Sequence, residues 1–174
     1  MKRVRVAVVG LGAIGFEHLL RLRVRPWVEI VGVCDLSATL ARAVAERFET
    51  GPAYTDTARL LEETRPDVVH VLTPPASHGA LVQQSLAAGA HVLVEKPIAP
   101  TWDEYVAMRD AARRHGRLLC EDYNTRFAPA ALGARVAWQA GRIGDVVSVD
   151  VAYGGVSTCT TSGRASSSMR ARSV

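Results

Sequence analysis

The sequence predicts an α/β fold, a doubly wound parallel sheet of the Rossmann type. Three observations predict this. Strand-like and helix-like segments alternate through the body of the 174-residue chain. The strand-like runs are continuously apolar rather than alternating, as strands covered on both faces are. Finally, Gly10, Asp35, Thr73 and Glu95–Lys96 fall at the carboxyl ends of those runs, the edge at which such sheets bind ligands.

The first strand is VRVAVVG (4–10), a β-branched run closed by glycine. FEHLLRLRV (16–24) follows with helical spacing and stops before Pro26. VEIVGVCD (28–35) is a second buried strand, after which Ser37 caps a helix with Leu40, Val44 and Phe48 recurring every four residues. AYT (53–55) predicts a short strand and TARLLEE (57–63) a brief helix. PDVVHVLTPP (66–75) is a strand closed by two prolines, and SHGALVQQSLAAG (77–89) a capped helix ending at Gly89. AHVLVEKP (90–97) is the next strand. In TWDEYVAMRDAARRHG (101–116), Thr101 and Glu104 form a capping box and Gly116 supplies the stop. RLLCEDY (117–123) is a further strand and PAALGARVAWQAG (129–141) a last helix. The short connections fit right-handed crossovers.

Composition bounds the function. A chain with 48% hydrophobic and 22% charged residues is that of a soluble globular protein. No stretch reaches the roughly 18 apolar residues of a membrane span. The three cysteines, Cys34, Cys120 and Cys159, have neither metal-ligand spacing nor an even count, which places the chain in a reducing cytoplasm without a metal site. The net charge of +4 is no nucleic-acid footprint, because residues 154–174 contain three arginines and no acid, leaving the body at +1.

GLGAIG (10–15) is a G-x-G-x-x-G turn between the first strand and the first helix. Gly10 permits the tight turn, Gly12 admits a pyrophosphate to the backbone, and Gly15 lets helix and sheet approach. The N–H groups at the helix start, around Ala13 and Ile14, are then free to hold the anion. Asp35 lies 20 residues beyond Gly15 at the end of the second strand, placed for the adenosine ribose hydroxyls. The whole constellation is a Rossmann dinucleotide site. An acid at 35 favours NAD over NADP, since it repels a 2′-phosphate; Arg42, on the following helix, is the one cation that could swing toward that phosphate. In TPPASH (73–78), Thr73 and Pro74 begin a stiff loop beside the expected nicotinamide half, and His78 opens the next helix within reach of it. His18 and His70 read as structural.

Lys96 is one of only two lysines, the other being Lys2, against nineteen arginines. Lysine can surrender a proton once burial or a neighbouring cation favours its neutral form, and arginine cannot. An arginine-rich chain that writes Lys at a strand end therefore points to a moving proton.

GLGAIG, TPPASH, AGAHVLVEKPIA and NTRF (124–127), in this order, resemble the glucose–fructose oxidoreductase / inositol dehydrogenase (Gfo/Idh/MocA) family over roughly residues 3–153. The resemblance implies an NAD(P)-dependent dehydrogenase moving hydride between nicotinamide and a carbinol of a sugar, cyclitol or related polyol. It places Glu95 and Lys96 beside the nicotinamide ribose, with Lys96 the catalytic residue at the reacting hydroxyl. It brings Arg126, with Asn124 and Phe127, to the cofactor or its neighbourhood. Pro97 biases Lys96 toward an extended backbone.

The resemblance also implies a second α/β domain that covers the nicotinamide. The expected division is 1–123 for the dinucleotide-binding domain, 124–153 for a connecting helix and the start of a truncated substrate domain, and 154–174 for a disordered or non-native tail. IGDVVSVDVAY (143–153) is the one strand of that second domain, with Val147, Val149, Val151 and Tyr153 on one face, unpaired and prone to homo-oligomer contacts. Twelve of the 21 tail residues are Ser, Thr or Gly, a composition expected of disorder or of a frameshifted reading. The expected partners are a small-molecule sugar or polyol, and neither nucleic acid nor membrane. The alternative to an enzyme is a non-catalytic dinucleotide-binding or sensing module.

Overall fold

The computed structural model describes residues 2–149. Its backbone divides between Tyr123 and Asn124 into two units.

The first unit is a six-stranded parallel sheet in the order β3-β2-β1-β4-β5-β6. The strands are β1 (Val4–Val9), β2 (Val28–Cys34), β3 (Ala53–Tyr54), β4 (Val68–Val71), β5 (His91–Glu95) and β6 (Leu119–Asp122). Between them run α1 (Ala13–Arg23), α2 (Ala38–Phe48), α3 (Thr57–Thr64), α4 (His78–Ala87) and α5 (Trp102–His115). The chain leaves β1 toward β2 and β3, then returns across β1 to β4 and continues outward. The reversal opens a crevice between β1 and β4 at the carboxyl edge, as this strand order does generally.

The apolar strands sort by alternation onto two faces. Ala7 and Val9 join Val69, Val71, Val92 and Val94 in one cluster with Leu60, Leu86 and Met108 of α3, α4 and α5. Val8 and Val33 face the other way, against Leu19 of α1 and Ala41, Val44 and Phe48 of α2. Leu19, Leu60, Leu86 and Met108 are all completely buried. Truncating any of them to Ala removes about 2–5 kcal/mol.

Most expected elements form, with informative shifts at their ends. α1 begins at Ala13 rather than at residue 16, because Gly10 alone (φ 91°) makes the turn and Gly12 is already the N-cap. Ser37 caps α2 by accepting from the Leu40 N–H at 3.3 Å. Leu40 itself is exposed, and Ala41 takes the core position beside Val44 and Phe48. α3 has a cap that composition did not flag, Asp56, which accepts from the Ala58 N–H at 2.9 Å. The β4 ladder to β5 stops at Val71, ahead of the two prolines, although Leu72 still donates its N–H to Val9 O at 2.8 Å. Pro75–Ser77 instead forms a 3-10 turn. Ser77 does not cap α4 with its side chain; its Oγ lies 2.7 Å from Thr73 Oγ1 and 2.8 Å from Pro74 O, so it braces the loop. Thr101 accepts from the Glu104 N–H at 3.2 Å, the first half of a capping box.

The second unit contains a 3-10 turn at Asn124–Phe127 and α6 (Pro129–Gln139), with Pro at its favoured first position. The strand expected over 143–153 lies only partly within the described residues. From 143 to 149 no ladder forms, and Gly144 (φ 63°) turns the chain just after Ile143. Residues 150–153 and the expected tail 154–174 lie outside the described residues.

Candidate functional site

At the carboxyl edge of β1, β2, β4 and β5 the first unit holds a cleft of about 710 Å³. A volume of this size is that of a small-molecule site.

The glycine turn forms its floor. Gly10 is held by donating its N–H to Cys34 O at 2.9 Å, and a Cβ there would strike the Leu72 backbone. Gly15 packs on the Gly10 carbonyl so closely that no side chain fits. Gly12 is the opposite case: a Cβ built on it meets nothing within 4 Å. Two glycines therefore serve the fold, while the third leaves open space in the cleft for a ligand to fill. Ala13 and Ile14 line the same wall, and Ile14 is 40% exposed there. The first N–H groups of α1 are exposed beside Gly12, with the positive end of the helix dipole behind them.

Asp35 stands at the end of β2. Its Oδ2 accepts the Leu11 N–H at 2.9 Å and its Oδ1 the Ser37 N–H at 2.9 Å. A carboxylate has about four acceptor sites, so two such bonds leave capacity for ligand hydroxyls. Arg42 donates its Nε to Ala38 O of its own helix at 3.3 Å.

The opposite wall comes from the loops after β4 and β5. Thr73, Pro74, Glu95 and Lys96 all line the cleft. Lys96 Nζ pairs with Glu95 Oε1 at 3.2 Å, and the Lys96 side chain is 60% exposed. Its neighbour is thus an acid and water, not the cation or apolar burial that the sequence argument invoked. The Lys96–Pro97 peptide is cis.

One expected site residue stands behind the cleft. His78 is completely buried and is absent from the cleft wall. Its Nε2 lies 2.8 Å from Thr73 O, and its Nδ1 lies 3.1 Å from Pro97 O and 3.3 Å from Ile98 O. The ring ties loops together from behind, which its position at a helix start did not reveal. Arg126 belongs to the second unit, where its guanidinium sits 5.4 Å from the Phe127 ring centroid.

Sequence reasoning missed Glu121, whose Oε1 accepts the Ile98 N–H at 2.9 Å. Its place at a strand end was the available signal. His18 and His70, which the sequence read as structural, form one polar row: His18 Nδ1 is 3.0 Å from His70 Nδ1, and His18 Nε2 is 3.0 Å from Asp122 Oδ2. With the carboxylate accepting, His18 donates from Nε2 and receives the His70 Nδ1–H.

Comparison with known proteins gives this cleft its context. Residues 4–123 match the oxidoreductase family with an NAD-binding Rossmann fold. The D-glucoside 3-dehydrogenase of Escherichia coli is 36% identical over 125 residues, covering 71% of this chain and 36% of its own length. An inositol 2-dehydrogenase of Acidothermus cellulolyticus is 32% identical over 154 residues, or 87% of this chain and 45% of its own. Among solved structures, the WlbA dehydrogenase of Chromobacterium violaceum, in complex with NADH and UDP-GlcNAcA, is 28% identical with a TM-score of 0.78, covering 83% of this chain and 42% of its own. The present chain spans less than half the length of each of these relatives. The matched span is the same one that folds into the six-stranded sheet and carries the cleft, and the chain accordingly belongs to this oxidoreductase family with its NAD-binding Rossmann fold.

Proposed function

We propose that the chain provides the cofactor-binding half of an NAD-dependent dehydrogenase acting on a carbinol of a sugar, cyclitol or related polyol. The observation that carries this is the convergence of Gly12, Asp35 and the Glu95–Lys96 pair on one cleft. In the reading, the backbone at Gly12–Ile14 takes a pyrophosphate and Asp35 takes the adenosine ribose hydroxyls. Asp35 opposes a 2′-phosphate, and with Arg42 engaged on its own helix NAD is preferred over NADP. Thr73, Pro74 and Glu95 border the far end. A bound nicotinamide supplies the hydride acceptor or donor. Lys96 contacts the substrate hydroxyl and exchanges its proton, a task for a mobile ammonium on a flexible stem. Glu95, only 15% exposed, holds Lys96 Nζ at the cleft rim until a substrate replaces that contact.

The polyol class is supported by the names of the relatives, a glucoside and an inositol dehydrogenase. Among the described residues no helix is long and apolar enough to cross a membrane. A reducing cytoplasm is proposed on the free thiols of Cys34 and Cys120.

Fluorescence titration with NADH and with NADPH tests the binding half of the proposal. NADH binding at least tenfold tighter than NADPH is expected, and equal affinities would remove the assigned role of Asp35. Lys96→Met tests the catalytic half. Any polyol-dependent NAD reduction should fall at least 100-fold, well beyond any loss of NADH affinity. Binding without turnover in the unsubstituted chain would favour a sensing module instead.

A further inference from the structure

Past the end of β5 the backbone leaves the ladder, and residues 96–98 must find hydrogen-bond partners elsewhere. Two side chains from other elements supply them. Glu121, on β6, accepts the Ile98 N–H at 2.9 Å. His78, at the start of α4, reaches Pro97 O at 3.1 Å and Ile98 O at 3.3 Å through Nδ1, while its Nε2 meets Thr73 O at 2.8 Å. The neutral ring donates through one of these nitrogens and the imidazolium through both. Beneath the loop, Ile98 and Ala99 pack against the core cluster that contains Val94 and Met108.

Neither side chain belongs to the cleft wall, yet each is tied to residues flanking Lys96. Glu121 and Leu119 alternate with Cys120 and Asp122 along β6, so Glu121 projects to the face that carries Val92 and Val94. Asp122 projects to the face of Glu95, and it is engaged with His18. One strand end thus sends one acid beneath the Lys96 loop and the other into the histidine row.

We propose that Glu121 and His78 are positioning residues for the Lys96 segment. They act behind the cleft, setting where Lys96 stands and how far the Thr73–Pro74 loop lies from it, and so they govern the nicotinamide end of the site while leaving the adenosine end alone. This rests on the dinucleotide reading above. Its physical basis is that a reacting group is useful only where its backbone is immobile, and a lost tie at one end lets the whole three-residue loop wander.

The test is calorimetric titration of the full chain with NADH and with ADP, which has the adenosine and the pyrophosphate but neither the nicotinamide nor its ribose. The quantity read is the ratio of the two affinities, which general loosening of the fold does not move. Glu121→Ala should lower the NADH affinity about tenfold with ADP unchanged within twofold, as expected for loss of a bond to a charged acceptor. Glu121→Gln, which keeps a carbonyl acceptor for Ile98, should restore the ratio. His78→Ala should lower it in the same direction; should that buried substitution prevent folding, the Glu121 pair decides. An unchanged ratio in Glu121→Ala, or an equal loss in Glu121→Gln, overturns the proposal. Failure of the unsubstituted chain to bind either ligand instead overturns the dinucleotide reading itself, and this proposal with it.

Discussion

Asp35 Oδ2 accepts the Leu11 N–H, so the side chain placed to grip a ribose also holds the glycine turn in position. Asp35→Ala removes both functions. The expected result is at least a tenfold loss of NADH affinity, no remaining preference over NADPH, and a stability loss of about 1.5–3 kcal/mol, checked by titration and by urea unfolding. His70 shows a different effect of its surroundings. Burial, with a smaller push from the neighbouring His18, holds its pKa down at about 3 against an ordinary 6.5. The unfolded chain takes up this proton near pH 6.5, while the folded chain resists until about pH 3. The His70 contribution is therefore intact above about 6.5 and declines as pH falls toward 3, by up to about 1.4 kcal/mol per pH unit. Urea midpoints should drop from pH 7.5 to pH 5, and His70→Gln, which cannot titrate, should flatten that dependence. Nothing in the letters around His70 announced this. Its spacing placed it in a strand, but only folding brings α1 and the end of β6 onto the same face.

The strand–turn–helix at β1 and α1 separates stability from binding within six residues. A side chain at Gly15 collides with the Gly10 carbonyl, and one at Gly12 meets open space. Gly15→Ala should thus destabilise by about 1–3 kcal/mol, seen as a lower melting temperature. Gly12→Ala should melt within about 0.5 kcal/mol of the original yet bind NADH at least tenfold more weakly, because its methyl occupies the space meant for the ligand. The motif's spacing made all three glycines legible in the sequence. The spacing also assigned Gly12 to a ligand and Gly10 and Gly15 to the fold; what it did not encode is that β4 packs beside β1 so that the Leu72 backbone meets any Cβ at Gly10. Helix ends show the same division. Ser37, Thr101 and Gly116 were readable because a cap is a local hydrogen bond. The helix from 77 was expected to be capped, but the Ser77 hydroxyl has a competing partner in Thr73, four residues back.

On the scale of the whole first unit, ligand binding should couple to folding, since the cleft is built from strands on both sides of the β1–β4 reversal. NADH at 100 times its dissociation constant should stabilise the chain by about 2.7 kcal/mol, read as a raised urea midpoint that dialysis reverses. An unchanged midpoint would mean that the cleft does not hold the ligand. The sequence by itself determined the α/β class, the strand order of appearance, the glycine turn, the spaced acid and the Glu–Lys pair. Apolar runs, caps and motif spacings are short-range signals that survive without a fold. Only the tertiary structure decided that His78 lies buried behind the cleft, that Glu121 holds the loop after β5, and that Lys96 sits exposed against Glu95. The first two arise from hydrogen bonds between residues far apart in the chain, and such partners, like the exposure of Lys96, are fixed only once the sheet has closed its crossovers.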